Sequence, residues 1–256
     1  MIYFLGDVHG RIDHVLPALR ARQDTATHVI FLGDIEPQRP FEDEIRPLTD
    51  AGIGVWFIHG NHDTDNRNTW DHLQVASHRN LHGRVVEIEG VRVAGLGGIF
   101  RGEIWYPNRS DMVDGTPRLR NYDDYIAWLK AKTPPRLHAS AQNIGNALKH
   151  LSTIFPDTYD KLADQKADIL VTHEAPSCHP HGFKSIDLLA QVMGVKSVFH
   201  GHHHDCLNYQ AWEAELGFRV HGVGFRGITD MQGNRVAAGD FDEARRYRES
   251  HPEGRQ

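Results

Sequence analysis

Cysteine is nearly absent from this 256-residue chain: Cys178 and Cys206 are its only two, far apart and in no CxxC arrangement. That excludes a disulfide framework and a thiolate-bound structural zinc, and makes a reducing cytoplasm the expected compartment. No apolar run approaches the ~20 residues needed to cross a bilayer. The first run, Ile2–Leu5, is too short for a signal peptide and ends in Gly6-Asp7. Positive charge is not in excess either. A formal net charge of -6 gives no general attraction for nucleic acid or an acidic membrane surface, while leaving room for a local basic groove. Internal repeats and low-complexity tracts are missing too. What is present is a chain long enough to bury a sizeable core, with 19 histidines, more than a domain of this size needs.

The histidines fall in a pattern. Residues 1–10 begin as an apolar run and stop at Gly6-Asp7-Val8-His9. An apolar run that stops at Gly, Asp, Asn or His returns in residues 28–34, 54–63, 167–173 and 196–204. Between the first runs, Ile12, Val15, Leu16 and Leu19 give residues 11–22 a helical spacing, and residues 41–51 follow as a second helix. Continuous Val/Ile/Phe strands alternating with helices predict a sheet covered on both faces, with function at the strand C-terminal ends.

From residue 81 the rhythm changes. Residues 84–88 and 91–96 flank Glu89-Gly90 as a β-hairpin. Residues 100–160 hold aromatic side chains and two helical patterns, 123–130 and 139–154, and read as an insertion over the strand ends. Lys and Arg outnumber Asp six to two in residues 118–149, a local charge of about +4 in an otherwise acidic chain. A strand at 169–172, a helix at 186–193 and antiparallel strands at 218–223 and 227–229 complete the reading. The expected fold class is α/β: one domain over residues 1–240, a four-layer α/β/β/α sandwich with a partly helical cap insertion at about 100–160, then a charged tail at 241–256.

Five strand ends that aim carboxylate, amide and imidazole donors at one place predict a metal site. Mixed O and N donors without thiolate suit Mn²⁺, Fe, Zn²⁺ or Ni²⁺ better than Ca²⁺. Asp7-Val8-His9, Gly33-Asp34, Gly60-Asn61-His62-Asp63, His173 and Gly201-His202-His203-His204 resemble, in order, the five motifs of the calcineurin-like metallophosphoesterases, over residues 6–204. The resemblance implies two divalent metal ions, Mn²⁺ foremost. Asp7, His9, Asp34 and His204 would hold one, and Asp34, Asn61, His173 and His202 the other, with Asp34 as the bridge. It also implies hydrolysis of phosphodiester or phosphomonoester bonds by a metal-bridging hydroxide. His62 would stand on the leaving-group side, and Asp63 would orient its imidazole.

Departures from the family pattern bear on the substrate. Ile35-Glu36-Pro37-Gln38 and His59 stand where phosphatases of the superfamily place arginines, which moves weight toward phosphodiesters or a broad-specificity phosphatase. Residues 90–101 are similar to a segment of lariat-debranching enzymes, so a nucleic-acid-processing phosphodiesterase is the alternative. A non-catalytic scaffold of the same fold is a further one, though such relatives lose the histidines retained here. A phosphoester substrate is the expected partner; a membrane is not expected and nucleic acid is not favoured. Arg101, Arg118, Arg120, His179 and His181 are the candidate substrate contacts. Tyr122, Tyr125 and Trp128 are either a stacking surface for a charged substrate or the packing face of an amphipathic helix.

Overall fold

The computed structural model describes residues 1–22, 26–107, 116–138 and 146–242. Among these, two five-stranded sheets form. In the first, β1 (Ile2–Leu5), β2 (His28–Phe31) and β3 (Gly54–Phe57) run parallel. On the other side of β1, β9 (Ile228–Asp230) and β10 (Arg235–Ala237) add antiparallel strands joined through Gln232-Gly233-Asn234. In the second sheet, β4 (Arg84–Ile88) and β5 (Val91–Leu96) form the predicted hairpin. Beyond β5, the strands β6 (Ile169–Thr172), β7 (Ser197–His200) and β8 (Arg219–Gly222) are parallel to it and to one another.

Side-chain alternation explains how the sheets stack. Ile2 and Phe4 on β1 and Ile30 on β2 join Val93, Ile169, Val171 and Phe199 of the second sheet in one buried cluster. Phe4 and Phe199 lie stacked across this interface, with ring centroids 3.7 Å apart. The alternate residues Tyr3, Leu5, Val29 and Phe31 face the other way, into a cluster with Val15 and Leu19 of helix Val15–Arg20, Phe41 of helix Phe41–Glu44 and Leu73 of helix Arg67–Gln74. Ala94, Leu96, Leu170 and Val198 do the same on the second sheet, toward helices Pro156–Ala163 and Lys184–Met193. Each sheet thus has one face on the other sheet and one under helices. No helix among the described residues is long and apolar enough to cross a membrane.

The expected helices shorten where local chemistry interrupts them. Residues 41–51 split into Phe41–Glu44 and Arg46–Asp50, because Pro47 in the first turn of the second helix has no N–H to continue the ladder. Of the helix expected over 139–154, the structure shows Asn146–Lys149 and a single turn at His150–Ser152, and residues 139–145 lie outside the described residues. Thr153 then turns extended and bridges to Ile99, which ends the helix. Helix Tyr122–Lys132 is capped by Asn121, whose side chain accepts from Asp124 N–H at 2.9 Å. Its Tyr125 enters the outer core of the second sheet beside Trp105 and Phe155. The expected tail at 241–256 falls mostly on residues 243–256, which lie outside the described residues.

Candidate metal centre

Parallel strands in two facing sheets bring their C-terminal ends to one edge. From β1 come Asp7 and His9, from β2 Asp34, from β3 Asn61 and His62, from β6 His173, and from β7 His202 and His204. One donor atom each from Asp7, His9, Asp34 and His204 lie within 4.8 Å of one another. A second group, Asp34, His173 and His202, meets the same limit. Asn61 joins this second group, its Oδ1 lying 3.2 Å from His173 Nε2. Asp34 belongs to both.

The two buried aspartates are prepared alike. Asp34 Oδ1 accepts the His62 backbone N–H at 2.8 Å, and Asp7 Oδ1 accepts the His202 backbone N–H at 3.2 Å. Each Oδ2 is buried and accepts no hydrogen bond, although His204 Nε2 lies 3.0 Å from Asp7 Oδ2 and His173 Nε2 lies 3.4 Å from Asp34 Oδ2. Carboxylate oxygens and imidazole nitrogens therefore converge with the Oδ2 capacity of both aspartates unfilled by hydrogen bonds, the arrangement that a cation between them satisfies. His173 Nδ1 donates to the Leu32 carbonyl at 2.8 Å, which turns Nε2 toward Asp34. His9 Nδ1 is bonded to the Glu36 carboxylate, which turns His9 Nε2 toward His204, 3.4 Å away. Such partners fix the tautomer and aim of a metal-binding histidine.

Backbone strain concentrates here. His9, Asp34, Glu36, His202 and His204 all have left-handed φ, at 44, 45, 50, 68 and 56°. A non-glycine residue in this region costs about 1–3 kcal/mol and persists only where its surroundings hold it, commonly at functional sites. The flanking glycines are there because the chain packs onto the donors. A Cβ at Gly60 would collide with the Asp34 carboxylate, and one at Gly201 with that of Asp7. Gly60→Ala should therefore displace Asp34 and reduce bound metal at least tenfold in affinity, as titration by calorimetry would read. Wild-type affinity in that variant would show that the close approach is not needed.

Burial and charge oppose each other at these groups. Burial acts against the His173 imidazolium, yet the Asp34 and Asp7 carboxylates outweigh it and raise the pKa to about 10. Burial likewise acts against the Asp34 carboxylate, but His173 and His62 hold its pKa below the usual range. Both donor groups are mixed O/N sets with two or more histidines, a composition that fits divalent Mn, Fe, Zn or Ni.

Residues 1–206 match the Calcineurin-like phosphoesterase (Metallophos) family. The chain belongs to that family. An uncharacterized protein of Haemophilus influenzae (strain ATCC 51907 / DSM 11121 / KW20 / Rd) is 39% identical over 236 residues, covering 91% of this chain and 95% of the relative. A solved crystal structure aligns with 90% of this chain and 95% of its own at 12% identity and a TM-score of 0.46.

Several expectations for this calcineurin-like phosphoesterase need correction. Asp63 does not face the His62 ring: it is fully buried and accepts backbone N–H groups from Ile35, Glu36 and Gly60 at 2.9, 2.7 and 2.8 Å. Burial and the Asp34 charge raise its pKa to about 7. It ties the turn after β3 to the turn after β2. The partner of His62 is Asp65, with Nδ1 to Oδ2 at 2.7 Å. Burial opposes the His62 imidazolium, but the Asp65 hydrogen bond and the Asp34 charge outweigh it and raise the pKa.

Of the candidate substrate contacts, Arg120 is taken up by Asp157 and Asp160, at 2.8 and 2.5 Å. His179 is buried, 3.2 Å from Asp205 and stacked on His203 with ring centroids 3.9 Å apart. It supports the loop that carries His202 and His204 and is not open to a substrate. His181 is exposed, with its ring centroid 5.8 Å from that of His203. Arg118 lines a cavity with Glu103, Tyr125, Trp128 and His150. Arg101 is half-buried: Nη2 donates to Ser152 Oγ at 3.3 Å and Nε is buried without a partner. Ser152 Oγ in turn lies 2.6 Å from Thr64 Oγ1, in the turn that holds His62. Glu36, Asp65 and Phe225, whose ring lies 4.8 Å from His204, were missed. The three-residue spacing of His62 and Asp65 in a tight turn could have been read, whereas Phe225 comes from beyond β8 with no local signal.

Proposed function

We propose that this calcineurin-like phosphoesterase hydrolyses phosphodiesters with two divalent metal ions. The observation that supports this most is the sharing of Asp34 by two adjoining donor groups. Asp7, His9, Asp34 and His204 would hold one ion, and Asp34, Asn61, His173 and His202 the other, Mn²⁺ being the first choice. When bound, two such ions lower the pKa of water and neutralise phosphoryl charge. Beside them, His62 Nε2 is available to give a proton to the departing oxygen, while Asp65 holds Nδ1. Arg101, half-buried with Nη2 on Ser152, would bring its guanidinium charge to a phosphoryl oxygen. One guanidinium matches the single charge of a diester better than the double charge of a monoester. Both cysteines are free thiols, which suits a cytoplasmic protein.

Protein purified without chelator should hold two metal ions per chain and turn over bis(p-nitrophenyl) phosphate faster than p-nitrophenyl phosphate. Less than one ion per chain, or a clear monoester preference, would overturn this assignment. Chelation should lower the melting temperature, and Mn²⁺ restore it, because a ligand at 100 times its Kd stabilises the folded state by about 2.7 kcal/mol. Calorimetry with and without EDTA reads this, and identical melts would count against a bound ion.

A further inference from the structure

The cap holds a cavity of about 230 Å³ lined by Tyr125, Trp128, Arg118, Glu103, Asn146 and His150, with Leu119. Tyr125 and Trp128 have ring planes 29° apart and centroids 5.9 Å apart. Lys132 Nζ sits 4.3 Å over the Trp128 ring, a cation–π contact that fixes the indole. The polar lining is ordered as well. Glu103 Oε2 lies 2.9 Å from both Lys149 Nζ and His150 Nε2. His150 Nδ1 pairs with Thr153 Oγ1 at 3.0 Å, and its ring lies 4.3 Å from that of Tyr125. Arg118, unlike Arg120, makes no ion pair with an acidic side chain among the described residues.

One turn of chain, His150–Ser152, joins the cavity lining to the turn that carries His62. His150 opens the turn and faces the cavity, while Ser152 closes it and bonds both Thr64 and Arg101. Thr64 ends the turn that begins with His62. The chain that lines the cavity at His150 thus reaches, two residues on, the contacts of Ser152 with Thr64 and Arg101.

We propose that this cavity is a subsite for the heterocyclic base of a mononucleotide, so that the phosphoester substrate carries a nucleoside on the His62 side. The proposal rests on the phosphoesterase reading above. The half-exposed Trp128 indole, backed by buried Tyr125 and set beside amide, carboxylate and guanidinium groups, suits a ring that is apolar on its faces and polar at its edge. The volume falls below the ~300–1,000 Å³ of sites that enclose a whole drug-sized ligand. It admits a ring system and leaves sugar and phosphate outside, toward Arg101. An alkyl chain would leave the polar lining unmatched, and a lone sugar phosphate would leave the aromatic walls unused.

The test is inhibition of bis(p-nitrophenyl) phosphate turnover by the Mn²⁺-loaded full chain, comparing AMP with ribose phosphate. AMP should inhibit roughly 5- to 100-fold more strongly, the range of one base stacked on an aromatic side chain. Trp128→Ala and Arg118→Ala should each bring that ratio toward one. Because the ratio is read within each variant, a change in turnover does not obscure it. Equal inhibition by both compounds in the wild type, or an unchanged ratio in both variants, would overturn the proposal. So would a single-stranded oligonucleotide that inhibits far more strongly than AMP, since that indicates a nucleic-acid groove. Equilibrium dialysis of AMP separates the two readings: binding that is lost in Trp128→Ala, with no ester turned over, would leave the subsite in place and remove only the phosphoesterase reading.

Discussion

Asp34→Asn should lower phosphodiester turnover by about 10³-fold or more, since the electrostatic contribution of bound ions is several kcal/mol and each 1.36 kcal/mol is tenfold. The substitution keeps the side-chain shape and the Oδ1 that accepts the His62 N–H. It replaces Oδ2, the buried oxygen that accepts no hydrogen bond, with an NH₂ that has no lone pair to offer. Because Asp34 stands in both donor groups, both ions should weaken together. Asp7→Asn, by contrast, should weaken the first ion more than the second, since Asp7 stands in one group only. Elemental analysis after gel filtration separates the two variants. Two tightly held ions in Asp34→Asn, with turnover within tenfold of wild type, would show that this carboxylate is not shared. Loss of folding is a separate outcome, read by comparing the chelated variant with chelated wild-type protein. Removing one partner of the buried Asp34–His173 pair should by itself lower that chelated melt, so the loss of metal is read from the ions counted and not from the melt.

The parallel strands and their donors were legible because each signal was local. Apolar runs of four or five residues ended in a donor, and strand polarity places such ends together in a doubly covered sheet. Asp7, His9, Asp34, Asn61, His173, His202 and His204 were all named from the sequence, and the structure brings all seven to one place. Groups that act through orientation were not legible. Whether Asp63 or Asp65 meets the His62 ring depends on a single tight turn, His62–Thr64, which swings Asp63 inward to three backbone N–H groups and leaves Asp65 beside Nδ1. Arg118 and Arg120 read alike in sequence, yet Arg120 is claimed by Asp157 and Asp160 of a helix some 40 residues later, while Arg118 reaches the cavity. His179 looked like a loop residue near a substrate, but its burial against Asp205 and His203 is set by β7 and the loop after it. Helix ends were blurred for a related reason: periodicity does not register a bridge such as Ile99 to Thr153, which stops the helix from outside.

His62→Ala should leave two ions bound while slowing esters with poor leaving groups by about 10²–10⁴-fold, the usual worth of a positioned general acid. The ring lies 5.4 Å from His9, centroid to centroid, and only the His62 backbone N–H touches Asp34, so its side chain is not needed to hold that carboxylate. Nitrophenyl esters leave as stabilised anions and should lose far less, so the dependence of rate on leaving-group pKa should steepen in the variant. A companion substitution locates the proton. The Asp65 hydrogen bond and carboxylate charge help raise the His62 pKa against the opposing effect of burial, and a raised pKa keeps the acid form present to higher pH. Asp65→Asn should therefore lower that pKa and move the alkaline limb of kcat to lower pH, with the acid limb unmoved. Asp63→Asn should not do this, because its carboxylate meets backbone N–H groups and not the ring. If instead Asp65→Asn leaves the alkaline limb in place, or His62→Ala slows nitrophenyl and alkyl esters equally, His62 is a binding or structural residue and the proton reaches the leaving oxygen from water.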